Sequence, residues 1–394
     1  MIQEPLHSPR ELLEELSTAR QPMTIGIPKE NQKREKRLAF TPEAIDMITE
    51  AGHEVWFEEG AGNGILYSNR AYAEAGAVIT NDRKAVFSCD FIFKITPPEV
   101  EEINWMKKRA VILSMLQMPD IGIETIKSLS AKQISAIGYE LMTPDGLLFP
   151  VRTSISEIEG AAAISIASEL MSNEKGGKGI LLGGVTGISS TEVVVIGAGT
   201  AGMVAVRAAL ALGATVKVFD HDLHKLRRLQ NDLGQRVFTS VFHPNVLVNA
   251  FQSADVVIGA MHYFDDAVRH VISEDVIQGM KSGSVLIDLC IHQGGCFETT
   301  CFLPNGHPAI FEKHGVLHYC VPNPSSRVAR TTSMALSNIF TPLIIQASGL
   351  GGLGSMDPHF RSGFYMYAGK LVNNYVAKQF NLPANDIGLF LSVY

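Results

Sequence analysis

The segment from residue 191 to residue 220 constrains the fold of this chain more than any other part of the sequence. Its strand-like portion, residues 192–196, reads EVVVI, and it is followed at once by GAGTAG and by a run rich in alanine and valine. An unbroken β-branched run is typical of a strand that is buried on both faces of a parallel sheet. The segment therefore predicts a buried strand, a tight glycine turn and a helix.

The glycines of this turn, Gly197, Gly199 and Gly202, have the spacing G-x-G-x-x-G of a Rossmann dinucleotide-binding loop. In such a loop the first glycine permits the turn, the second lets the backbone approach a pyrophosphate, and the third lets the helix pack on the strand. Asp220 ends the next apolar run, close to the spacing of about 20 residues at which a carboxylate accepts from a ribose 2′-hydroxyl. Because a 2′-phosphate would meet this negative charge, the sequence predicts NAD rather than NADP as the cofactor.

The length and composition of the chain indicate how many domains it has and which kinds of partner it lacks. A chain of 394 residues predicts two domains, since one compact core of that size is unusual. The net charge of −7 leaves no basic excess for nucleic acid, and no apolar run reaches the roughly 18 residues that span a bilayer. The N-terminus lacks the apolar core of a signal peptide, and the five cysteines form no C-x-x-C pair. We therefore expect a cytoplasmic protein without metal, membrane or nucleic-acid partners.

Apolar runs alternate with helical patterns before and after the glycine loop, which predicts βαβ units and parallel sheets. The first 150 residues form one such α/β region, and they carry no glycine fingerprint for phosphate. Later strands are expected at residues 256–260 and 284–289. Because ligands lie outside the carboxyl ends of such strands, we expect the loops 261–267 and 290–296 to lie near the nicotinamide.

Short motifs along most of the chain match one known family. They are GIPKE at residues 26–30, RLAFTP at 37–42, GHEV at 52–55, GAG at 60–62, YE at 139–140, SE at 156–157, VVVIGAGTAG at 193–202 and QGGCFE at 293–298. With these motifs the sequence resembles the alanine dehydrogenase family, which also includes the NAD(H)-binding component of proton-translocating transhydrogenase.

This resemblance implies an α/β fold of two doubly wound domains. A Rossmann NAD-binding domain at residues 151–329 is expected to be inserted into a discontinuous substrate domain at residues 1–150 and 330–394. The resemblance also implies an oxidoreductase of amino-acid metabolism, which converts L-alanine reversibly into pyruvate and ammonia with NAD. The partners that it implies are a small amino acid or 2-oxo acid as substrate and further copies of the chain in a homo-oligomer, commonly a hexamer.

Several functional positions of the family carry over to this chain. Arg37 matches the arginine that binds the substrate carboxylate, which suits a guanidinium because it can hold a carboxylate through two parallel hydrogen bonds. The positions that match on the cofactor side, in addition to the glycine loop, are Ser156, Asp220, Lys225 and Asn323.

Three substrate-side positions depart from the family. Thr96 stands at the substrate-binding lysine of a K-x-K-x-P run, Gln117 at the catalytic histidine, and His292 at the catalytic aspartate before Gln-Gly-Gly. Oxidation of an amine requires an acid/base group, and an imidazole titrates near neutral pH whereas an amide does not. We therefore hypothesise that His292 acts as the acid/base and that Gln117 orients the substrate oxygen. His262, on the facing loop, is a second titratable candidate.

Two alternative functions stay open. Loss of the lysine charge at Thr96, together with Asp265 and Asp266, would suit a diverged NAD(H)-dependent oxidoreductase for another amino or oxo acid, one that carries a cationic group. Alternatively, His292 only hydrogen-bonds a backbone carbonyl, and the chain is a non-deaminating NAD(H)-binding protein related to the transhydrogenase component.

Overall fold

The computed structural model describes residues 22–32, 35–116, 122–144, 146–261, 271–300, 309–347 and 358–391. These residues form two compact units. The first unit contains the described residues up to Ser154 and from Ala329 onward, and the second contains Ile155–Val328. None of the described helices is both long enough and apolar enough to cross a membrane.

The sheet of the first unit has eight strands: Thr24–Ile27 (β1), Glu54–Glu58 (β2), Val78–Thr80 (β3), Phe91–Phe93 (β4), Val111–Ser114 (β5), Ser135–Gly138 (β6), Phe364–Tyr367 (β14) and Lys370–Leu371 (β15). Their order is β15-β14-β6-β5-β4-β1-β2-β3. Strands β1 to β6 run parallel, and β14 and β15 are antiparallel additions at one edge. The parallel strands therefore have the order 3-2-1-4-5-6 of a doubly wound sheet, with the reversal at β1.

The sheet of the second unit has the strands Glu192–Ile196 (β7), Thr215–Phe219 (β8), Phe238–Ser240 (β9), Val256–Gly259 (β10), Val285–Asp288 (β11), Ile310–Lys313 (β12) and Val316–Tyr319 (β13). Their order is β12-β13-β11-β10-β7-β8-β9, and only β12 is antiparallel to its neighbour. The parallel strands again follow the doubly wound order, with the reversal at β7. The strands predicted at residues 256–260 and 284–289 are confirmed as β10 and β11.

The described helices accompany these strands in chain order. They are Pro42–Glu50 (α1), Asn69–Glu74 (α2), Arg83–Phe87 (α3), Val100–Trp105 (α4), Ile123–Ala131 (α5), Pro150–Leu170 (α6), Thr200–Ala211 (α7), Leu223–Leu233 (α8), Pro244–Ser253 (α9), Glu274–Gln278 (α10), Ala329–Ala347 (α11), Pro358–Gly363 (α12), Asn374–Gln379 (α13) and Ile387–Leu391 (α14). The division between the units falls inside α6 and again directly before α11. The predicted fold class, α/β with two doubly wound domains, is confirmed.

Strand β7 is buried on both faces, which explains why polar and apolar residues do not alternate in its sequence. Val193 and Val195 belong to one buried cluster, formed with residues of α6, α7 and α8. Val194 and Ile196 belong to a second cluster on the opposite face, formed with residues of α9 and α10. Because helices cover both faces of the sheet, every side chain of the strand from Val193 to Ile196 is buried.

Close contact between α6 and α7 depends on a glycine. A Cβ atom added at Gly160 would lie 2.2 Å from the carbonyl oxygen of Ala201, which is far inside van der Waals contact. We expect Gly160→Ala to lower the free energy of unfolding by about 1–3 kcal/mol, the usual cost of forcing an extra methyl group into a packed contact. Urea unfolding followed by circular dichroism measures this loss.

A matched control is Gly122→Ala. A Cβ atom at Gly122, the N-cap of α5, would meet no heavy atom within 4 Å, so this variant is expected to lose only about 0.5 kcal/mol, the difference between glycine and alanine at an N-cap. Equal stability of the two variants would contradict the proposed packing of α6 on α7.

Candidate functional site

The glycine loop lies at the reversal point of the second sheet, between β7 and α7. Gly197 has φ +108°, and a Cβ atom there would lie 2.5 Å from the carbonyl oxygen of Ala260. A Cβ atom at Gly202 would lie 1.9 Å from the carbonyl oxygen of Gly197. At Gly199, in contrast, a Cβ atom would meet nothing within 4 Å. Gly197 therefore allows the turn and Gly202 allows the helix to pack closely. Gly199 leaves open space in front of the helix N-terminus, where a pyrophosphate fits.

Asp220 joins this loop to the end of β8. Its carboxylate is buried, with Oδ2 accepting from the backbone N–H of Ala198 at 2.7 Å and Oδ1 accepting from the backbone N–H of Asp222 at 2.9 Å. A carboxylate oxygen can accept a second hydrogen bond, so these contacts are compatible with a ribose hydroxyl as a further donor. The structure thus brings Asp220 and the glycine loop together, as the motif predicts.

The other predicted cofactor residues also lie in the second unit. Lys225 stands in the first turn of α8, which follows β8. Asn323 follows β13 and adopts a left-handed conformation with φ +52°. Ser156 is half-buried in α6. No hydrogen bond that the structure shows joins these three side chains to one another, and their roles stay predictions.

The loop that carries His292 is held from inside by Asp288, a residue whose role the sequence did not indicate. Asp288 ends β11 and is fully buried. Its Oδ1 accepts from the N–H of Cys290 at 2.9 Å, and its Oδ2 accepts from the N–H of Cys296 at 2.8 Å and from the hydroxyl of Thr300 at 2.6 Å. His292 lies within this loop, in the short 3-10 helix Ile291–Gln293, and is half-buried. One carboxylate therefore fixes the loop on both sides of His292.

In the first unit Arg37 is buried and paired with Glu35. Its Nε donates to Oε1 of Glu35 at 2.8 Å, and its Nη2 donates to Oε2 at 2.6 Å. The backbone N–H of Arg37 also donates to Oε1 at 2.9 Å. The side chains of Arg37 and Glu35 are 1% and 2% exposed, and the Glu35 carboxylate fixes the orientation of this guanidinium.

Thr96 belongs to a buried network of charges. Its hydroxyl donates to Oε2 of Glu30 at 2.6 Å and accepts from Nζ of Lys94 at 2.7 Å. Lys94 also lies 3.4 Å from a carboxylate oxygen of Glu102 and 3.8 Å from one of Glu30. Burial raises the pKa of Glu30, while the charge of Lys94 and the hydrogen bond from Thr96 oppose that shift. The Thr96 hydroxyl is therefore engaged on both its donor and its acceptor side.

Some predicted residues lie outside the described part of the chain. These are Gln117, which directly follows the described Leu116, and His262, Asp265 and Asp266 of the loop after β10. A second residue that sequence reasoning missed, Glu140, lies at the carboxyl end of β6 and contacts Leu116. The only signal for it was its place in the motif YE at residues 139–140.

Comparison with known proteins places the chain in a family. The family described as "Alanine dehydrogenase/PNT, N-terminal domain" matches residues 26–159, and "Alanine dehydrogenase/PNT, C-terminal domain" matches residues 163–374. This chain belongs to the alanine dehydrogenase/PNT family. The family predicted from the sequence motifs is thereby confirmed. So are the predicted alanine-dehydrogenase-like function and the dependence on NAD(H).

Relatives in the alanine dehydrogenase/PNT family match over nearly the whole chain. Alanine dehydrogenase of Staphylococcus saprophyticus is 35% identical over 93% of this chain and 99% of the relative. Alanine dehydrogenase of Bacillus subtilis is 35% identical over 85% of this chain and 88% of the relative. A solved structure of an L-alanine dehydrogenase superposes with a TM-score of 0.85 at 30% identity, covering 91% of this chain and 99% of the other.

Two alanine variants of the glycine loop are predicted to lose different properties, stability in one and NADH affinity in the other. We expect Gly202→Ala to lower the free energy of unfolding by about 1–3 kcal/mol, because its Cβ atom collides with the carbonyl oxygen of Gly197. Gly199→Ala has open space and should fold normally, but its methyl group occupies the place where a pyrophosphate approaches. Its affinity for NADH should fall at least about tenfold, or 1.4 kcal/mol.

Urea unfolding and a fluorescence titration with NADH separate the two effects. A Gly199→Ala variant that binds NADH as tightly as the parent chain would show that the pyrophosphate does not approach this glycine.

Proposed function

We propose that this protein is an NAD-dependent amino-acid dehydrogenase that converts L-alanine reversibly into pyruvate and ammonia. The observation that carries the proposal is the shared edge of the second sheet. The glycine loop leaves β7 and the His292 loop leaves β11 at the same carboxyl end, with only β10 between them. Two strand spacings amount to about 10 Å, which a dinucleotide bridges easily. The names of the curated relatives support alanine as the substrate.

The residues of this chain would divide the chemistry as follows. NAD, when bound, supplies the hydride acceptor. His292, held by Asp288 through its loop, would take a proton from the substrate ammonium before hydride transfer and release it to solvent. It would then take a proton from the water that adds to the iminium and return it to the nitrogen, which leaves as ammonia. Gln117 would orient the substrate oxygen, because its amide can donate and accept hydrogen bonds but cannot titrate.

On the substrate side we propose that Arg37 binds the substrate carboxylate. Glu35 holds Nε and Nη2 of this guanidinium, and this pairing supports the role by fixing the orientation of the fork. A preoriented guanidinium loses less side-chain entropy when it binds a carboxylate. We further propose that the protein works as a homo-oligomer in the cytoplasm, as the family resemblance implies.

A second candidate function is favoured by the network around Thr96. Its hydroxyl is engaged by Glu30 and Lys94, and the ammonium of Lys94 lies near two carboxylates. At Thr96, where the family has a lysine that binds substrate, this chain therefore has a neutral hydroxyl. The nearby ammonium of Lys94 is paired with carboxylates of the chain itself. Such a change suits oxidation of an amino acid, or reduction of an oxo acid, with a larger or differently charged side chain than alanine.

The experiment that decides between these functions uses the purified full chain. NADH oxidation is followed with pyruvate plus ammonium, and NAD reduction with L-alanine, across neutral and alkaline pH. Turnover with alanine supports the first function. Turnover only with other members of a panel of 2-oxo acids and amino acids supports the second, and NADH binding without any turnover supports a non-deaminating protein.

The acid/base role of His292 makes a separate prediction. His292→Ala should lower kcat by about 10²–10⁴-fold, the usual contribution of a general acid/base, and should leave the affinity for NADH unchanged. The measurement combines steady-state kinetics with an NADH fluorescence titration.

A suitable control is His314→Asn. His314 lies in the turn between β12 and β13, pairs with Glu274 and has φ +57°, a conformation that asparagine tolerates. It should retain full activity. Undiminished turnover by His292→Ala would rule out the proposed role of this imidazole.

A further inference from the structure

Glu140 is a buried acid at the carboxyl edge of the first sheet. It lies in the short 3-10 helix Tyr139–Leu141, directly after β6. Its Oε1 accepts from the backbone N–H of Leu116 at 3.1 Å and from the hydroxyl of Tyr365 at 2.8 Å. Its Oε2 is shielded from solvent and has no hydrogen-bond partner among the described residues. The described part of the chain thus holds this carboxyl through one oxygen.

The contact with Leu116 fixes the chain where it leaves β5. Leu116 is the second residue after that strand and directly precedes Gln117 in the sequence. The whole residue is 1% exposed and packs in the core of the first unit, so its N–H group is shielded from water and requires an acceptor. Glu140 supplies that acceptor, and it therefore connects the ends of β5 and β6 beyond their last paired residues, Ser114 and Gly138.

The absence of a side chain at Gly138 provides the space in which Tyr365 and Glu140 meet. A Cβ atom there would lie 2.3 Å from Cε2 of Tyr365 and 2.8 Å from Oε1 of Glu140. Tyr365 comes from β14, which pairs antiparallel with β6. A glycine at the end of β6 is thus what allows the phenol and the carboxyl to meet.

The groups that face Glu140 come from three further elements. Burial raises the pKa of Glu140 to about 7, while the hydrogen bonds from its own backbone N–H, from Tyr365 and from Leu116, and the charge of Arg152 on α6, oppose the shift. Burial raises the pKa of Tyr365 far above neutral pH, and it does the same for the neighbouring Tyr139. Burial lowers the pKa of Arg152, which the charge of Glu140 opposes. Of these groups Glu140 alone changes its charge near neutral pH.

We propose that Glu140 is a positioning residue of the substrate-side site, whose ionised carboxylate holds the backbone of Leu116, the residue directly before Gln117 in the sequence, and whose protonation weakens that hold. An ionised acceptor forms a shorter and stronger hydrogen bond with an N–H group than a neutral carboxylic acid does. The kinetic part of this inference rests on the proposed function, because it is read out through the proposed reaction. The pH dependence of stability does not depend on that reaction.

The sign of the stability effect follows from the direction of the shift. Glu140 has an ordinary pKa of 4.5 in the unfolded chain and about 7 in the folded chain, so the folded state binds its proton more tightly. Its contribution to the free energy of unfolding therefore falls as the pH rises from about 4.5 to about 7, and it stays lost above that range. Glu140→Gln has no proton to lose. The melting temperature of this variant minus that of the parent chain should rise with pH across the same window.

Kinetics test the positioning role. Two groups should make kcat rise with pH in the parent chain: the proposed base His292 as it loses its proton, and Glu140 as it ionises. Glu140→Gln should lower kcat and remove only the Glu140 limb of the profile, while leaving KM for NADH unchanged. Tyr365→Phe removes a donor to the carboxylate, so it should shift the limb to higher pH. The control Glu124→Gln changes an exposed acid on α5, about 70% exposed, and should alter neither kcat nor its pH profile.

The outcomes separate this inference from the proposed function. If the parent chain turns over no substrate of the panel, the proposed function fails, and the pH trend of the melting-temperature difference, together with an infrared titration of the Glu140 carboxyl, decides the inference. If Glu140→Gln does not fold, the shift in Tyr365→Phe decides it. A pH profile of kcat that is the same in the parent chain and in both variants, or a melting-temperature difference that is constant with pH, overturns the proposal.

Discussion

Parallel pairing of β7 with β8 on one side and with β10 on the other is the interaction on which the second unit depends. Because both neighbours run in the same direction as β7, the chain must leave the strand through a tight turn into a helix that returns along the sheet. That turn directs the N–H groups of the helix N-terminus into the space beyond the strand. Gly197 makes the turn, and Asp220 at the end of β8 accepts a hydrogen bond from the N–H of Ala198 in this turn. The cofactor site is therefore a consequence of strand direction.

Buried carboxylates hold the loops at the carboxyl ends of both sheets. Asp220 and Asp288 do this in the second unit, and Glu30, Glu35 and Glu140 do it in the first. Burying a charge is costly unless donors satisfy it, and in these five cases backbone N–H groups are among the donors. In each case, hydrogen bonds from the protein replace the water that the carboxylate loses on burial, and these bonds order a loop. For Glu140 burial dominates, which is why its charge is sensitive to pH in the neutral range.

The parts of the site that follow a local pattern were predictable. The glycine spacing and the position of Asp220 depend on the geometry of one βαβ unit, and the structure shows that geometry around Gly199. The partner of Arg37 and the engagement of Thr96 were not predictable. Glu35 is only two residues away, but its contact depends on how an irregular segment folds back, and Glu30 reaches Thr96 across two neighbouring strands. Patterns of period 2 or 3.6 carry no information about such contacts.

The sequence by itself determined the α/β class and the dinucleotide loop, because these depend on local hydrophobic patterns and on glycines at fixed spacing. Its short motifs indicated the family, and the resemblance to that family implied the two doubly wound domains. Only the tertiary structure decided which acids hold which loops. Asp288 holds the chain on both sides of His292, and Glu140 joins β5, β6 and β14 through Leu116 and Tyr365. The physical reason is that a buried carboxylate takes its role from the donors that the fold brings to it. Those donors come from segments as far apart in the chain as Leu116 and Tyr365.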